Sequence, residues 1–88
     1  MTNPPPPAPP TPELMAEYET RAETAYSAMY DAPDYDQKDL KDDALFYLAR
    51  AIEVAEALGL EGEAARLKSR VDNIMGVYNS QFRYIGRR

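Results

Sequence analysis

Apolar side chains recur every three or four residues along two stretches in the second half of the chain. The first stretch covers residues 40–58 and the second covers residues 60–85. Such spacing gathers the apolar side chains on one side of a helix, so each stretch is predicted to be an amphipathic α-helix. Gly59 separates the two stretches, and helices commonly end at a left-handed residue that only glycine adopts without strain. The pattern therefore predicts a helical hairpin with antiparallel arms.

A third helix is predicted before this hairpin. Thr11, Pro12 and Glu13 make a favourable helix start, because a hydroxyl can cap the first turn, proline is tolerated at the first position and an acid suits the helix N-terminus. The residues expected on its buried side are Leu14, Tyr18, Ala22, Ala25 and Met29. Pro33 disfavours helical geometry in the residue before it, so the helix is expected to end near Ala32.

The linker between the first two predicted helices, residues 31–39, is rich in aspartate. An EF-hand calcium loop that begins at Asp34 would need glycine at its sixth position and glutamate at its twelfth, where this chain has Asp39 and Leu45. The spacing therefore argues against calcium binding. Instead, Asp36 or Asp39 is expected to cap the second helix. The residues expected on the solvated, polar face of that helix are Lys41, Asp42, Arg50 and Glu53.

Together these patterns predict an all-α fold, an up-down-up three-helix bundle with helices at residues 12–31, 39–58 and 61–85. Residues 1–10 contain six prolines. Because proline lacks a backbone donor and restricts φ, we expect a disordered proline-rich tail at residues 1–10 and a three-helix domain at residues 11–88. The tail is either a spacer or, through its P-x-x-P spacings, a ligand for an aromatic-lined groove.

The chain has no histidine and no cysteine. The common zinc, iron and haem ligand sets are therefore missing, and no metal or cofactor is expected. Ser27, Ser69 and Ser80 stand alone on predicted helices, and so small a domain offers little cleft for paired carboxylates, so we expect no enzymatic activity. The chain start lacks signal-peptide features and no apolar run reaches 18 residues, which favours a cytoplasmic protein without a membrane role.

The net charge of −5 hides an asymmetry along the chain. Residues 1–63 hold fourteen acidic and four basic side chains, whereas residues 64–88 hold one acidic and six basic ones. This suits a bundle in which an acidic first helix lies beside a basic third helix, with a modest, screened attraction. It also leaves open a basic end that meets an acidic partner. The overall acidity argues against nucleic acid as a partner, but allows a small acidic inhibitor that mimics a polyanion.

Beyond Val71 the apolar residues of the third predicted helix surround much of its circumference. Packing against two neighbouring helices can absorb only part of this surface, so the rest is expected to stay exposed. We therefore predict a non-enzymatic adaptor or regulatory module that binds a protein partner there, with the basic end steering its orientation. The predicted partner-binding residues are Met75, Val77, Tyr78, Phe82, Arg83, Tyr84 and Arg87. The alternative is that the same surface forms a homodimer.

The hairpin also resembles part of a tetratricopeptide-type array between residues 40 and 78. The residues that carry the resemblance are Ala44, Leu48 and Ala51, in the small–large–small order of a repeat's second helix, and Val71, Ile74, Met75 and Tyr78, as in the first helix of the next repeat. Three features depart from the family: Met75 stands where a small residue is usual, the closing proline is missing, and the linker containing Pro33 is longer than the turn within a repeat. The resemblance implies peptide or protein binding.

Overall fold

The structure is a computed structural model that describes residues 9–82, and this part of the chain is all-α. Helix α1 spans Pro12–Asp31, α2 spans Asp34–Ala57 and α3 spans Glu61–Val77. A π-helical segment, Tyr78–Phe82, continues α3. The three helices confirm the predicted all-α architecture. The predicted tail up to residue 8 and the predicted helix end at residue 85 lie outside the described residues.

Helix α1 begins and ends as its sequence predicts. The backbone N–H of Leu14 donates to Oγ1 of Thr11 at 3.0 Å, so Thr11 caps a helix whose first residue is Pro12. Ala22 and Met29 are buried as predicted, but the third buried residue of α1 is Met15, so the buried line consists of residues spaced by seven. The other predicted residues, Leu14, Tyr18 and Ala25, are only half-buried. Relative to the prediction, α1 is therefore rotated about its axis so that Met15, rather than the shorter Leu14, is buried in the core.

Helix α2 begins at Asp34 rather than at the predicted residue 39. Pro33 occupies the N-cap position, and the N–H of Asp36 donates to its carbonyl at 2.9 Å. The predicted capping by Asp36 or Asp39 is wrong, because α2 has no side-chain cap and Asp36 lies within its first turn. Acids there face the positive end of the helix dipole, so the aspartates favour an earlier start. The link from α1 is therefore only two residues long, not the long linker that the sequence suggested.

The link between α2 and α3 is the predicted glycine turn. Gly59 has φ of 74°, in the left-handed region. The N–H of Leu60 donates to the carbonyl of Ala55 at 2.8 Å, and the N–H of Gly59 donates to that of Glu56 at 3.1 Å. These two bonds make a Schellman motif, which satisfies carbonyls at the end of α2 and turns the chain back on itself.

Helix α2 is the central element, because α1 and α3 both pack against it. The side that it buries is built from Ala44, Ala51 and Ala55 around Leu48, and none of the four has measurable exposure. Small side chains at a helix contact let the axes approach closely. Leu67 of α3 is equally buried and extends the core to the third helix.

Two ion pairs join α1 to α3 directly. Arg66 Nη1 lies 2.7 Å from Glu19 Oε2, and Arg70 Nη2 lies 2.7 Å from Glu23 Oε1. From the first pair to the second, the acid moves four residues along α1 and the arginine moves four residues along α3, so α1 and α3 run parallel. The pairs confirm the expectation that the acidic first helix lies beside the basic third one. Between residues 9 and 82, each helix is either too short or too polar to cross a membrane.

Candidate protein-binding surface

Phe82, near the end of the predicted third helix, is not exposed in the way the sequence suggested. Phe82 is only 8% exposed, and its ring meets that of Tyr30 edge-on, with centroids 5.0 Å apart. The expectation that Phe82 lies on an exposed apolar surface is therefore wrong. In a π-helix each residue advances by a smaller angle than in an α-helix. Phe82 is thereby rotated off the line of Met75, seven residues earlier, and toward α1.

Tyr78 links this buried ring to the surface. It is half-buried and stacks almost parallel on Phe82, with 6.3 Å between ring centroids and 6° between ring planes. Nζ of Lys41 lies 4.7 Å from the centroid of Tyr78, a cation–π contact. The sequence pattern assigned Lys41 to the solvated face of the second helix, and this is wrong, because its side chain is only 18% exposed. Its aliphatic stem covers apolar surface while the ammonium group lies over the ring.

Among the predicted binding residues that the structure describes, Met75 is the most open, with 45% of its surface exposed. Val71, four residues earlier, and Tyr78, three residues later, share its side of the helix, and both are half-buried. Helices α2 and α3 run antiparallel, since Lys41 meets Tyr78 at one end and Glu56 meets Lys68 at the other. This register places half-buried Leu45 at the level of Met75. We call the strip formed by Leu45, Val71, Met75, Tyr78 and Lys41 the α2–α3 edge.

One predicted binding residue that the structure describes, Val77, falls outside this strip. Val77 is half-buried, but it follows Met75 by two residues and so points to a different side of α3. Arg83, Tyr84 and Arg87 lie outside the residues that the structure describes. Of the four predicted residues that the structure describes, Met75 and Tyr78 share this strip, Val77 points to a different side of α3, and Phe82 is buried against the ring of Tyr78.

Two lysines give one end of the α2–α3 edge its charge. Lys38 Nζ and Lys41 Nζ each lie 2.8 Å from a carboxylate oxygen of Asp42. The hydrogen bonds from Lys38 and Lys41 lower the pKa of Asp42, and the bond to Asp42 raises the pKa of Lys38. Two ammonium groups thus flank the single carboxylate of Asp42 beside Tyr78, and the carboxylate of Asp39 also helps to raise the pKa of Lys38.

A shallow groove of about 510 Å³ separates α1 from α3. Its charged groups are already paired: Arg66 bonds both Glu19 and Glu63 at 2.7 Å, and Arg70 bonds Glu23. The hydrogen bond from Arg66 lowers the pKa of Glu19, and the same contact raises the pKa of Arg66. Since these guanidinium groups already have carboxylate partners within the fold, the ion pairs across the groove hold α1 and α3 together. The groove is therefore a weaker candidate for binding a ligand.

The sequence pattern gave no prediction for Phe46, which is 52% exposed on the outward side of α2. Cζ of Arg50 lies 5.1 Å from the ring centroid, and the ring of Tyr47 meets it edge-on at 5.4 Å. The signal was present in the sequence, because Phe46 falls between the polar positions Asp42 and Glu53 and off the apolar stripe.

Comparisons with protein-family models, with characterised proteins and with solved structures found no match to this chain. The resemblance of its hairpin to a tetratricopeptide-type repeat therefore stays a prediction.

Proposed function

We propose that the chain is a small, non-enzymatic adaptor or regulatory module of the cytoplasm that binds a partner protein through the α2–α3 edge. The observation that carries this proposal is the position of Met75. Its side chain is 45% exposed at the seam of two helices, directly beside the half-buried Val71 and Tyr78. A flexible thioether at such a seam can adapt to an apolar side chain of a partner.

The charges around this strip indicate the kind of partner. Lys41 lies over Tyr78, and Lys38 is 68% exposed one turn earlier. The sequence adds Arg83, Arg87 and Arg88 after α3. A partner that presents an apolar side chain flanked by carboxylates would complement both features, because apolar contact supplies affinity and opposite charge supplies orientation and association rate.

A charge placed at Met75 tests this proposal, with Ser69→Asp as the matched control. Ser69 is exposed on α3 but faces the groove toward α1, so the two variants add the same charge to different sides of one helix. Wild-type protein and both variants are immobilised and exposed to lysate of the source cells. A protein retained by the wild type is identified by mass spectrometry and purified, and its affinity for all three is measured by calorimetry at low and high salt.

We expect the Met75→Asp substitution to weaken binding of the purified partner by at least about tenfold, which corresponds to roughly 1.4 kcal/mol. The Ser69→Asp variant should bind like the wild type, and affinity should fall as salt is added. The proposal is wrong if the partner binds Met75→Asp as tightly as the wild type, or if both variants lose binding equally.

A further inference from the structure

Phe46 is an unexplained apolar residue on the outward side of the central helix. Among the described residues, the exposed large apolar side chains are Tyr30, Tyr35, Phe46 and Met75. The two tyrosines carry a hydroxyl that suits exposure, and Met75 belongs to the α2–α3 edge. Phe46 has neither explanation, and neither α1 nor α3 covers the side of α2 on which it lies.

The residues around Phe46 are arranged with opposite charges on its two sides. Asp43 is three residues earlier and Arg50 four residues later, so both are about one turn away, and they lie on nearly the same line along the helix. Both are exposed. Within residues 9–82 no ion pair involves Asp43, and Arg50 is held only by exposed Glu53 at 3.1 Å, a contact of little energy. Exposed Ala49 leaves room on the other side of the ring.

We infer that this outward face of α2, centred on Phe46, is an interface for a second copy of the same chain, in which two α2 helices pack antiparallel about a two-fold axis. The axis places the two Phe46 rings against each other. It also places Asp43 of each copy opposite Arg50 of the other, which makes two equivalent ion pairs. Arg50, already 5.1 Å from its own Phe46 ring, then covers the ring pair from the side.

The same charges exclude the parallel arrangement. Parallel packing would place Asp43 against Asp43 and Arg50 against Arg50, and like charges directly opposed are destabilising. The antiparallel packing thus follows from the order acid, aromatic, base along the helix. Ala49 of each copy lies opposite Asp42 of the other copy, and the small side chain of Ala49 allows the two helices to approach closely.

The expected dimer is a weak one. Its contact comes from one helix of each copy, and α2 has 24 residues, about 36 Å of helix. One such contact is at the low end of specific interfaces, which predicts a Kd on the order of 10–100 µM. The two surfaces meet at Asp42, which pairs with Lys38 and Lys41, but Phe46 and Arg50 lie outside the α2–α3 edge and Met75 lies outside the dimer contact, so the two proposals can fail separately.

Sedimentation equilibrium of the full chain, over concentrations from roughly 5 µM to 1 mM, tests the inference. The mass of the wild type should rise from 9.9 kDa toward twice that value. The Phe46→Glu and Arg50→Asp variants should weaken the dimer at least about tenfold. The double variant Asp43→Arg with Arg50→Asp restores opposite charges across the axis and should recover dimer formation, a result that misfolding of the single variants could not produce.

Met75→Asp is the control and should dimerise like the wild type. The inference is overturned if the wild type remains a 9.9 kDa monomer at the highest concentration. It is equally overturned if Phe46→Glu dimerises like the wild type, if the double variant stays monomeric, or if Met75→Asp abolishes the dimer. The last outcome would place the second copy on the α2–α3 edge.

Discussion

Thr11 and Gly59 each set a helix end through one local feature. The Thr11 hydroxyl accepts the N–H of Leu14, whereas Gly59 contributes only its freedom to adopt a φ of 74°. A Cβ built on Gly59 meets nothing within 4 Å, so the requirement for glycine there comes from the backbone and not from crowding. Both features were predictable from sequence, because N-caps and glycine C-caps depend on the few residues next to them.

The Gly59→Ala substitution should destabilise the protein by about 1 kcal/mol, because an L-residue is strained at this positive φ. Gly76→Ala is the matched control. A Cβ there also meets nothing within 4 Å, but Gly76 lies inside α3, so alanine should raise the free energy of unfolding by up to about 1 kcal/mol. Urea denaturation monitored by circular dichroism measures both. Equal effects of the same sign would contradict this account.

Phe82 and Met75 make a second contrast at the level of single residues, since the sequence placed both on one surface. The structure buries Phe82 to 8% exposure and leaves Met75 at 45%. We expect Phe82→Ala to cost about 2 kcal/mol or more, because it leaves a cavity beside Tyr30. Met75→Ala should change stability by no more than about 0.5 kcal/mol. Thermal and urea unfolding measure both variants. Equal losses of stability would contradict the burial of Phe82 and the exposure of Met75.

At the level of elements, the local sequence pattern was insufficient to predict the start of α2 and the π-helical segment after α3. The aspartates before residue 39 suit a loop or a helix first turn equally well, and the choice is made by contacts that the sequence does not display. Gln37 is 7% exposed, and its Nε2 donates to the carbonyl of Ala32 at 3.2 Å, which fixes the first turn of α2 against the end of α1. The change to π-helix at Tyr78 likewise has no periodic signal, because it arises where Phe82 packs on Tyr30.

The pairing of α1 with α3 predicts a pH dependence. Arg66 donates to Glu19 and lowers the pKa of that carboxyl below 4.5, its ordinary value. A lowered folded-state pKa gives stability that is present above about pH 4.5 and is lost as pH falls through the folded value. The pair is partly exposed, with Glu19 at 26% and Arg66 at 49%, so its worth after solvent screening is only roughly 0.5 kcal/mol.

Glu19→Gln should therefore destabilise the protein at pH 7, and this difference from the wild type should vanish well below pH 4.5. Glu17→Gln is the control for the loss of one negative charge, because within residues 9–82 the ion pair of Glu17 is with Arg21 on its own helix and both side chains are more than half exposed. Urea unfolding across the pH range measures both. A Glu19→Gln deficit that persists unchanged in acid would show that the ion pair is not its cause.

At the scale of the whole molecule, the sequence predicted the number and order of the helices, because each helix repeats its apolar spacing over several turns. It predicted the surfaces poorly. Lys41 counted as solvated and Phe82 as exposed, yet Lys41 covers Tyr78 and Phe82 is buried. Phe46 was absent from the predicted surface, although half of its surface is exposed. Which apolar side chain remains uncovered depends on how the helices rotate against one another, and periodicity alone does not determine that rotation.

The shortness of the two links has a consequence for how fast the chain folds. Two residues join α1 to α2 and three join α2 to α3, so most packed side chains are close in sequence. Little loop entropy is lost before the first helix pair forms, and chains with such local contacts fold on the order of microseconds to milliseconds. Either hairpin, α1 with α2 or α2 with α3, can form first, and the shared helix α2 then serves as the template on which the remaining helix docks.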